Sequence, residues 1–367
     1  MSTGEAPLML VSAKADERLR REVGDGTRPR PEFLILEQDH EFSLLDWSLL
    51  PPGVAARGRS PLSSAAHVIA ALRRLDGATA VLSDGEHLGI PLGYALRARG
   101  LGVPHVVIGH HLDSPKKREL FRHLGAASGM DRILVHSERQ REVAIRLGVP
   151  PERVFVLPYA VDTDFWEPCA ERTPGTRPIV GSAGIEHRDY ATLVDAMQGL
   201  DAHLVVSIGS THSPTSRSRL PERWPPTAEV GFAPPSRLRL RHADATVVVV
   251  PIVETEFPAG ITSILEAMAM AKPVVVSGTR GLGQVVRDEE TGLVVPPGDA
   301  AAMHRAVRRL LDDHRLRHRL GMQARAFTIA EAGVDRFAGR IAGHLRDLAA
   351  VRSPGHRTVV ARATRLH

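Results

Sequence analysis

The chain has 367 residues, of which 43% are hydrophobic and 24% are charged. This length exceeds one ordinary hydrophobic core, so two domains of roughly 150–200 residues are expected. Because Cys169 is the single cysteine, an internal disulfide framework and an all-cysteine metal site are excluded. The sequence has no run of about 18 apolar residues and no basic leader at its start, which predicts a cytoplasmic protein.

The net charge is +5, and the cations are nearly all arginines. Such a balance suits anionic partners such as phosphates or an acidic membrane, although arginine-biased codon usage explains it more simply. Aromatic residues make up only 4% of the chain and do not alternate with the basic segments, which argues against a single-strand nucleic-acid groove. We therefore expect no nucleic-acid partner and leave a peripheral contact at the inner face of the membrane open.

Short apolar runs alternate with amphipathic segments, which is typical of parallel βαβ units. In the first half the predicted strands are 8–11, 33–37, 79–83, 105–109, 132–137 and 154–158, and the predicted helices are 62–75, 88–100, 116–127 and 138–148. In the second half the predicted strands are 178–184, 202–209, 246–251, 273–277 and 292–296. The predicted helices there are 190–200, 236–243, 261–271 and 301–330, the last broken near 312–314.

Residues 162–177 separate these two halves, because they are rich in turn formers and have no periodic pattern. We predict a first Rossmann-like domain at 1–161, an interdomain linker at 162–177 and a second domain at 178–335. A C-terminal helix at 336–352 that could return to the first domain and a mobile basic tail at 353–367 complete the prediction. Doubly wound sheets bind ligands beyond the carboxyl ends of their strands, so the site is expected in a cleft between the domains.

The segment FPAGITSILEAMAMAKP (257–273) combines a small-residue turn, a helix start and a carboxylate. Gly260 frees the backbone at the turn, and Thr262 or Ser263 can cap the helix, so that amide N–H groups point outward toward an anion. Glu266 lies one turn further and can reach a ribose hydroxyl. The segment therefore predicts a nucleoside-diphosphate site.

Two passages carry a resemblance to a known family. LEAMAMAKPVVVS and ETGLVVPPGD within 251–299, together with residues 132–166, resemble the retaining GT-B glycosyltransferases of family 4. The resemblance implies an α/β GT-B fold of two doubly wound domains facing a central cleft, with the acceptor bound by the first domain and a nucleoside-diphosphate sugar by the second. It implies retention of anomeric configuration, no metal and no resident cofactor, the nucleotide sugar being a co-substrate.

The same resemblance assigns the donor site. It implies that Glu266 binds the nucleotide ribose and that backbone amides contact the donor sugar and diphosphate; the residues at that place are Gly260, Ile261, Thr262 and Ser263. Pro258 stands where the family has a second glutamate that contacts the donor sugar. Because Glu254 or Glu256 could replace it only if the loop shifts in register, the donor sugar is not predicted.

A second phosphate element is GSAGIEHRDYATL (181–193), a strand that ends near Gly184 and leads to Arg188. It resembles the family's glycine, arginine and lysine phosphate site, with Arg188 near the position of the lysine and Ile185 where the arginine is usual. A guanidinium can stabilise a leaving diphosphate through charge-assisted hydrogen bonds. The alternative is a helix-start loop with an exposed arginine.

The strand at 105–109 delivers His110 and His111 to its carboxyl end. The resemblance implies that one of them contacts the donor sugar near the reacting carbon, with His110 preferred, although the sequence does not decide between the two. The loop at 83–91 carries Asp84 and Glu86, which could position an acceptor hydroxyl or act as a general base. Asp84 could equally cap the following helix.

Two other features limit the prediction. Asp162 and Asp164 imitate a metal-binding Asp-x-Asp motif, but their place in the linker favours a capping or turn role. Residues 11–31 are charged and lack the glycine-rich acceptor loop of many family members, so the acceptor is not identified beyond a small molecule, a glycan or a lipid-linked molecule.

The sequence therefore predicts a metal-independent, retaining glycosyltransferase that uses a nucleoside-diphosphate sugar. The alternatives are a GT-B sugar-nucleotide epimerase or hydrolase, and a nucleotide-sugar-binding subunit without catalytic activity. The base, the sugar and the oligomeric state stay open.

Overall fold

The computed structural model describes residues 6–55, 60–169, 177–209 and 218–352. Within these ranges the chain forms two compact units. The first unit contains residues up to 21, residues 31–158 and residues from 335 onward, and the second contains residues 22–30 and 159–334. The basic tail at 353–367 and residues 170–176 of the predicted linker lie outside the described residues.

Each unit contains one six-stranded sheet in which all strands are parallel. The first sheet has the order β2-β1-β3-β4-β5-β6. Its strands are β1 (Ala6–Leu10), β2 (Ser43–Leu45), β3 (Ala78–Ser83), β4 (His105–Gly109), β5 (Arg132–Val135) and β6 (Val154–Val156). The second sheet has the order β12-β11-β10-β7-β8-β9. Its strands are β7 (Ile179–Ala183), β8 (His203–Ser207), β9 (Glu229–Gly231), β10 (Val247–Val250), β11 (Val274–Ser277) and β12 (Leu293–Val295).

Every predicted helix has a counterpart in the structure, whereas the first three helices, α1 to α3, were not predicted. Those up to residue 146 are α1 (Glu17–Gly24), α2 (Glu32–His40), α3 (Pro52–Ala55), α4 (Pro61–Leu72), α5 (Glu86–Ala98), α6 (Pro115–His123) and α7 (Glu138–Arg146). The later helices are α8 (Tyr190–Ala196), α9 (Pro235–Asp244), α10 (Ile261–Ala269), α11 (Ala300–Asp312), α12 (His314–Glu331) and α13 (Val334–Arg352). Within the described residues, no helix combines the length and apolar character that a membrane span requires.

One predicted strand is wrong. Residues 33–37 belong to helix α2, and the strand beside β1 is the short β2. Phe33, Leu34, Ile35 and Leu36 are all buried, so this helix shows no amphipathic period. A short apolar run of this kind cannot be distinguished from a buried strand by periodicity.

The core of the second unit shows why its strands are continuous apolar runs. Val248 and Val250 of β10 pack in one buried cluster with residues of α10. Val247 and Val249 pack on the opposite face in a cluster with residues of α8 and α11. A parallel strand covered on both faces needs apolar side chains at every position. The packing on both faces holds β10 in place, and the chain leads from its carboxyl end to α10.

The predicted break in the long helical segment is confirmed. Helix α11 ends at Asp312 and α12 begins at His314. The side chain of Asp313 accepts a hydrogen bond from the backbone N–H of Leu316 at 2.9 Å, which caps the second helix and ends the first.

Candidate active site

Helix α10 of the second unit begins at a tight turn. Gly260 is its N-cap residue, with a φ of 79°, and an added Cβ would lie 2.8 Å from Cδ1 of Ile252. Glycine is therefore required by both conformation and space. The prediction that Thr262 or Ser263 caps this helix is wrong, because Gly260 occupies the cap position and the two residues lie inside the first turn.

The first turn of α10 has the properties of an anion site. The N–H groups of Ile261, Thr262 and Ser263 come before the first intrahelical hydrogen bond, which runs from Ile264 N to Gly260 O at 3.0 Å. Such N–H groups and the positive end of the helix dipole favour a phosphate group. Thr262 is exposed, whereas Ser263 is buried.

Arg188 connects this turn to the loop after β7. It is only 3% exposed, and its guanidinium donates from Nε to Ala183 O at 2.8 Å and from Nη2 to Ser263 Oγ at 3.0 Å. A third bond runs from Nη1 to Glu186 O at 2.8 Å. Burial lowers the pKa of Arg188 from its ordinary value, while the nearby Tyr190, Glu186 and Glu266 oppose the shift. The alternative of an exposed arginine is therefore wrong.

Gly184 leaves the space that the arginine occupies. Its φ is 101°, and an added Cβ would lie 2.2 Å from Nη2 of Arg188. Its carbonyl oxygen accepts a hydrogen bond from the hydroxyl of Tyr190 at 2.6 Å. Because any larger side chain would displace the guanidinium, Gly184 and Arg188 form one structural unit with the start of α10.

Glu266 lies one turn inside α10 and is half-buried. Burial raises the pKa of its carboxyl to about 8, against the opposing charge of Arg188. The carboxyl is therefore mostly protonated at neutral pH and can both donate and accept a hydrogen bond. These properties suit a group that binds ribose hydroxyls.

The raised pKa of Glu266 predicts how stability depends on pH. The carboxyl has a pKa of 4.5 when unfolded and about 8 when folded, so between these values the folded state retains a proton that the unfolded state loses. The stability of the second unit should therefore fall as pH rises from about 5 to about 8. Glu266→Gln should remove this fall, because glutamine does not titrate. Thermal unfolding at several pH values measures it, with the exposed Glu290→Gln as the control; equal pH dependence in both variants would contradict the assignment.

Two carboxylates in the loop before α10, Glu254 and Glu256, both pair with Arg280. Glu254 accepts from the backbone N–H of Arg280 at 3.2 Å and from its Nε at 3.3 Å. Glu256 lies 3.4 Å from Nη1 of the same arginine. Pro258 itself is buried. Both carboxylates lie against Arg280 in this structure.

A chain of hydrogen bonds crosses the carboxyl ends of the strands in the first unit. It begins at Ser12, after β1, whose hydroxyl donates to Oδ1 of Asp84 at 2.6 Å and lies 2.7 Å from Nε2 of His87. The backbone N–H of Ser12 also donates to Asp84. Helix α5 has Gly85 as its N-cap residue, so Asp84 does not cap it and its carboxylate binds Ser12 instead.

The chain continues through two histidines at the ends of β4 and β5. Nε2 of His110 lies 2.8 Å from the carbonyl oxygen of Asp84, and its Nδ1 lies 3.2 Å from Nε2 of His136. Nδ1 of His136 lies 2.9 Å from the carbonyl oxygen of Leu157. Gln140 donates to the carbonyl oxygen of His110 at 2.7 Å. His110 is thus held on three sides.

Glu86 is a buried carboxylate beside this chain. It accepts from the backbone N–H of His111 at 2.6 Å and lies 3.4 Å from Nζ of Lys117. Burial alone would raise the pKa of Glu86, but the charges of Lys117 and His110 and the backbone donors outweigh it, so the pKa is lowered. Glu86 therefore holds the backbone of His111, whose side chain is exposed.

The sequence did not single out Glu32, Ser12 or His136. Glu32 lies at the start of α2, and burial followed by the charge of Asp84 raises its pKa, while His110 opposes the shift. Because residues 33–37 were predicted as a strand, the sequence did not indicate that Glu32 begins a helix. For His136 a signal existed, because this histidine lies near the carboxyl end of the predicted strand at 132–137, much as His110 follows the strand at 105–109.

The Asp-x-Asp pair in the second unit is occupied by an arginine. Nη2 of Arg30 lies 3.0 Å from Oδ1 of Asp162 and 2.8 Å from Oδ2 of Asp164. The same Oδ1 accepts from the backbone N–H of Asp164 at 3.3 Å, which is a turn-stabilising contact. Among the described residues, no three histidine, cysteine, aspartate or glutamate side chains group as metal ligands would.

Comparison with known families follows the two halves of the chain. A model described as "Glycosyltransferase Family 4" matches residues 24–165, and one described as "Glycosyl transferases group 1" matches residues 179–313. The chain is a family 4 glycosyltransferase. The resemblance of 132–166 and 251–299 to this family is thereby confirmed.

Curated relatives of this family 4 glycosyltransferase include a named transferase and a named synthase. It is 26% identical to the alpha-D-kanosaminyltransferase of Streptomyces kanamyceticus over 71% of this chain and 72% of that protein. It is 30% identical to the alpha-maltose-1-phosphate synthase of Mycolicibacterium smegmatis over 53% of this chain, but this match spans only 58% of the relative.

Solved structures establish the GT-B fold. Sucrose-phosphate synthase from Thermosynechococcus elongatus has a TM-score of 0.69 at 20% identity, over 94% of this chain and all of the other. Anabaena HepE in complex with UDP-glucose has a TM-score of 0.66 at 15% identity, over 93% of this chain and 99% of the other. The predicted α/β GT-B fold is confirmed.

Proposed function

We propose that this glycosyltransferase moves a sugar from a nucleoside-diphosphate sugar to an acceptor hydroxyl, with retention of anomeric configuration and without a metal. The observation that carries the proposal is the donor arrangement of the second unit. The guanidinium of Arg188 bonds to Ser263 in the first turn of α10, and Glu266 lies one turn below it. The HepE structures with UDP and with UDP-glucose support a nucleotide sugar as the ligand of this fold.

In the proposed reaction, the bond between the anomeric carbon and the diphosphate oxygen breaks and the acceptor oxygen forms the new bond on the same face. Negative charge then develops on the leaving diphosphate. The N–H groups of the first turn of α10 would stabilise it, and the charge of Arg188 adds to their potential. The acceptor's proton would pass to the leaving phosphate.

We place the acceptor at the strand ends of the first unit. There Asp84 and Ser12 provide a carboxylate and a hydroxyl within hydrogen-bond distance of each other, and the ring of His87 adjoins them. The carboxylate can accept a hydrogen bond from an acceptor hydroxyl, and the serine hydroxyl can donate to it or accept from it. This chemistry fits small-molecule, glycan and lipid-linked acceptors alike.

The experiment is a donor and acceptor screen. Purified protein is incubated with UDP-, GDP- and dTDP-sugars, with and without acceptors of the three kinds, in buffer containing a chelator. We expect release of the nucleoside diphosphate that depends on the acceptor and is unchanged by the chelator, and a product whose anomeric configuration equals that of the donor by NMR. Turnover without acceptor would indicate a hydrolase or an epimerase, and nucleotide binding without any turnover would indicate a binding subunit; either result contradicts the proposal.

A further inference from the structure

His110 and His136 make an unusual pair, because both of their outer ring nitrogens face carbonyl oxygens. Nε2 of His110 faces Asp84 O at 2.8 Å, and Nδ1 of His136 faces Leu157 O at 2.9 Å. A carbonyl oxygen only accepts hydrogen bonds. Both outer nitrogens must therefore carry hydrogens.

The inner nitrogens then determine the charge of the pair. Nδ1 of His110 and Nε2 of His136 are 3.2 Å apart, and the ring centroids are 5.1 Å apart. If both rings were neutral, their outer N–H groups would leave two lone pairs facing each other at hydrogen-bond distance. One additional proton changes this repulsion into an N–H···N hydrogen bond, so the geometry requires three protons on the four nitrogens.

The burial of His136 indicates which ring carries the charge. His136 is 6% exposed and its ring lies 6.3 Å from that of Phe337, with the two planes nearly parallel. Burial, aided by the charge of His110, lowers the pKa of His136 to about 3. A cation placed on His136 would lose more hydration than one on His110, which is only half-buried.

We propose that His110 is an imidazolium in the free enzyme and that His136 is the positioning residue that maintains this charge by accepting from Nδ1–H. The charged groups around the pair agree with the assignment. Three carboxyl groups, Glu32, Asp84 and Glu86, lie close enough to interact electrostatically with His110 or with one another. The ammonium of Lys117 pairs with Glu86.

This assignment has a consequence for catalysis that rests on the proposed function. An imidazolium with both hydrogens engaged cannot take the acceptor's proton. His110 would contribute a fixed positive charge to the transfer. Activity should therefore decline on the alkaline side, as the pair loses its shared proton, whereas a general base at His110 would make activity rise with pH.

Two substitutions of His136 separate the contacts of this ring. His136→Asn places its amide near the position of Nδ1, so it can still bond Leu157 O but offers no acceptor to His110. His136→Gln reaches the position of Nε2, so its amide oxygen can accept from Nδ1–H of His110. Comparing the two variants therefore tests the hydrogen-bond acceptor that faces Nδ1 of His110 separately from the packing of the side chain around Phe337.

Nitrogen NMR of the histidine rings in the full-length protein gives the direct readout. At about pH 7 we expect both nitrogens of His110 to be protonated in the wild type and in His136→Gln, and one to be unprotonated in His136→Asn. A neutral His110 ring in the wild type at about pH 7, or an unchanged His110 in His136→Asn, would overturn the proposal. If His136→Asn does not fold, judged by thermal unfolding, the wild-type spectrum alone decides.

The pH profile of turnover supplies the functional readout. At about pH 8 we expect His136→Asn to be about tenfold slower than the wild type and His136→Gln to stay within about threefold, which corresponds to the loss or retention of one charge-assisted hydrogen bond. If the alkaline decline of turnover occurs at the same pH in the wild type and in both variants, His136 does not maintain the charge of His110. Absence of turnover in every protein would contradict the proposed function, while the NMR result would still test the charge.

Discussion

Replacing Glu266 with alanine is expected to raise the Kd for the nucleotide about thirtyfold. The carboxyl would make two hydrogen bonds to the ribose hydroxyls, each contributing about 1 kcal/mol to binding, and a loss of about 2 kcal/mol corresponds to this factor. Titration calorimetry with the nucleoside diphosphate identified by the donor screen measures the effect.

The control for this experiment is Glu290→Ala, another glutamate of the second unit. Glu290 is exposed and its carboxylate lies 3.0 Å from Nη1 of Arg287, so its loss should leave nucleotide affinity unchanged. Equal affinities in the wild type and Glu266→Ala would place the ribose elsewhere. A loss of similar size in both variants would show that the effect is not specific to Glu266.

Replacing Arg188 with lysine is expected to destabilise the second unit by about 3–5 kcal/mol and to reduce turnover about a hundredfold. Lysine retains the charge, but one ammonium group cannot reach Ala183 O, Glu186 O and Ser263 Oγ together, so buried acceptors lose their donors. Ser263 also loses the contact that joins the first turn of α10 to the loop after β7. Thermal unfolding should shift downward by about 10 °C.

Arg287→Lys provides the matched control, because Arg287 is exposed and the substitution is chemically the same. It should change neither the unfolding temperature nor turnover. Turnover is measured well below the unfolding temperature of Arg188→Lys, so that loss of activity does not reflect unfolded protein. An unchanged unfolding temperature in Arg188→Lys would show that the three buried contacts do not stabilise the unit. Unchanged turnover would show that Arg188 does not contribute to sugar transfer.

The strands were well predicted where the sequence has continuous apolar runs. The predicted strand at 105–109 matches β4 in full, and the run at 246–251 contains β10. Both strands are buried on every side chain, which is the expected pattern for a parallel sheet covered by helices on both faces. The same criterion failed at 33–37, because four consecutive buried residues of a helix, 33–36, show the same continuous apolar run.

The sequence marks candidate site residues most clearly where one segment contains the whole signal. Gly260 and Glu266 lie within a few residues of each other, and the turn and helix that relate them are local. Glu32 was missed because nothing in its own segment marks it, and His136 was missed although it lies at the end of a predicted strand. Their significance comes from Asp84 and His110, which approach them only in the folded unit.

The sequence by itself determined the α/β alternation, the family and the position of helix α10, since burial periodicity and short motifs are local properties of the chain. The tertiary structure decided which polar groups meet. Arg188 bonds to a serine 75 residues away, and Ser12 to an aspartate 72 residues away. Such partners are set by the order of strands in each sheet, because parallel strands bring their carboxyl ends to one edge whatever their separation in sequence.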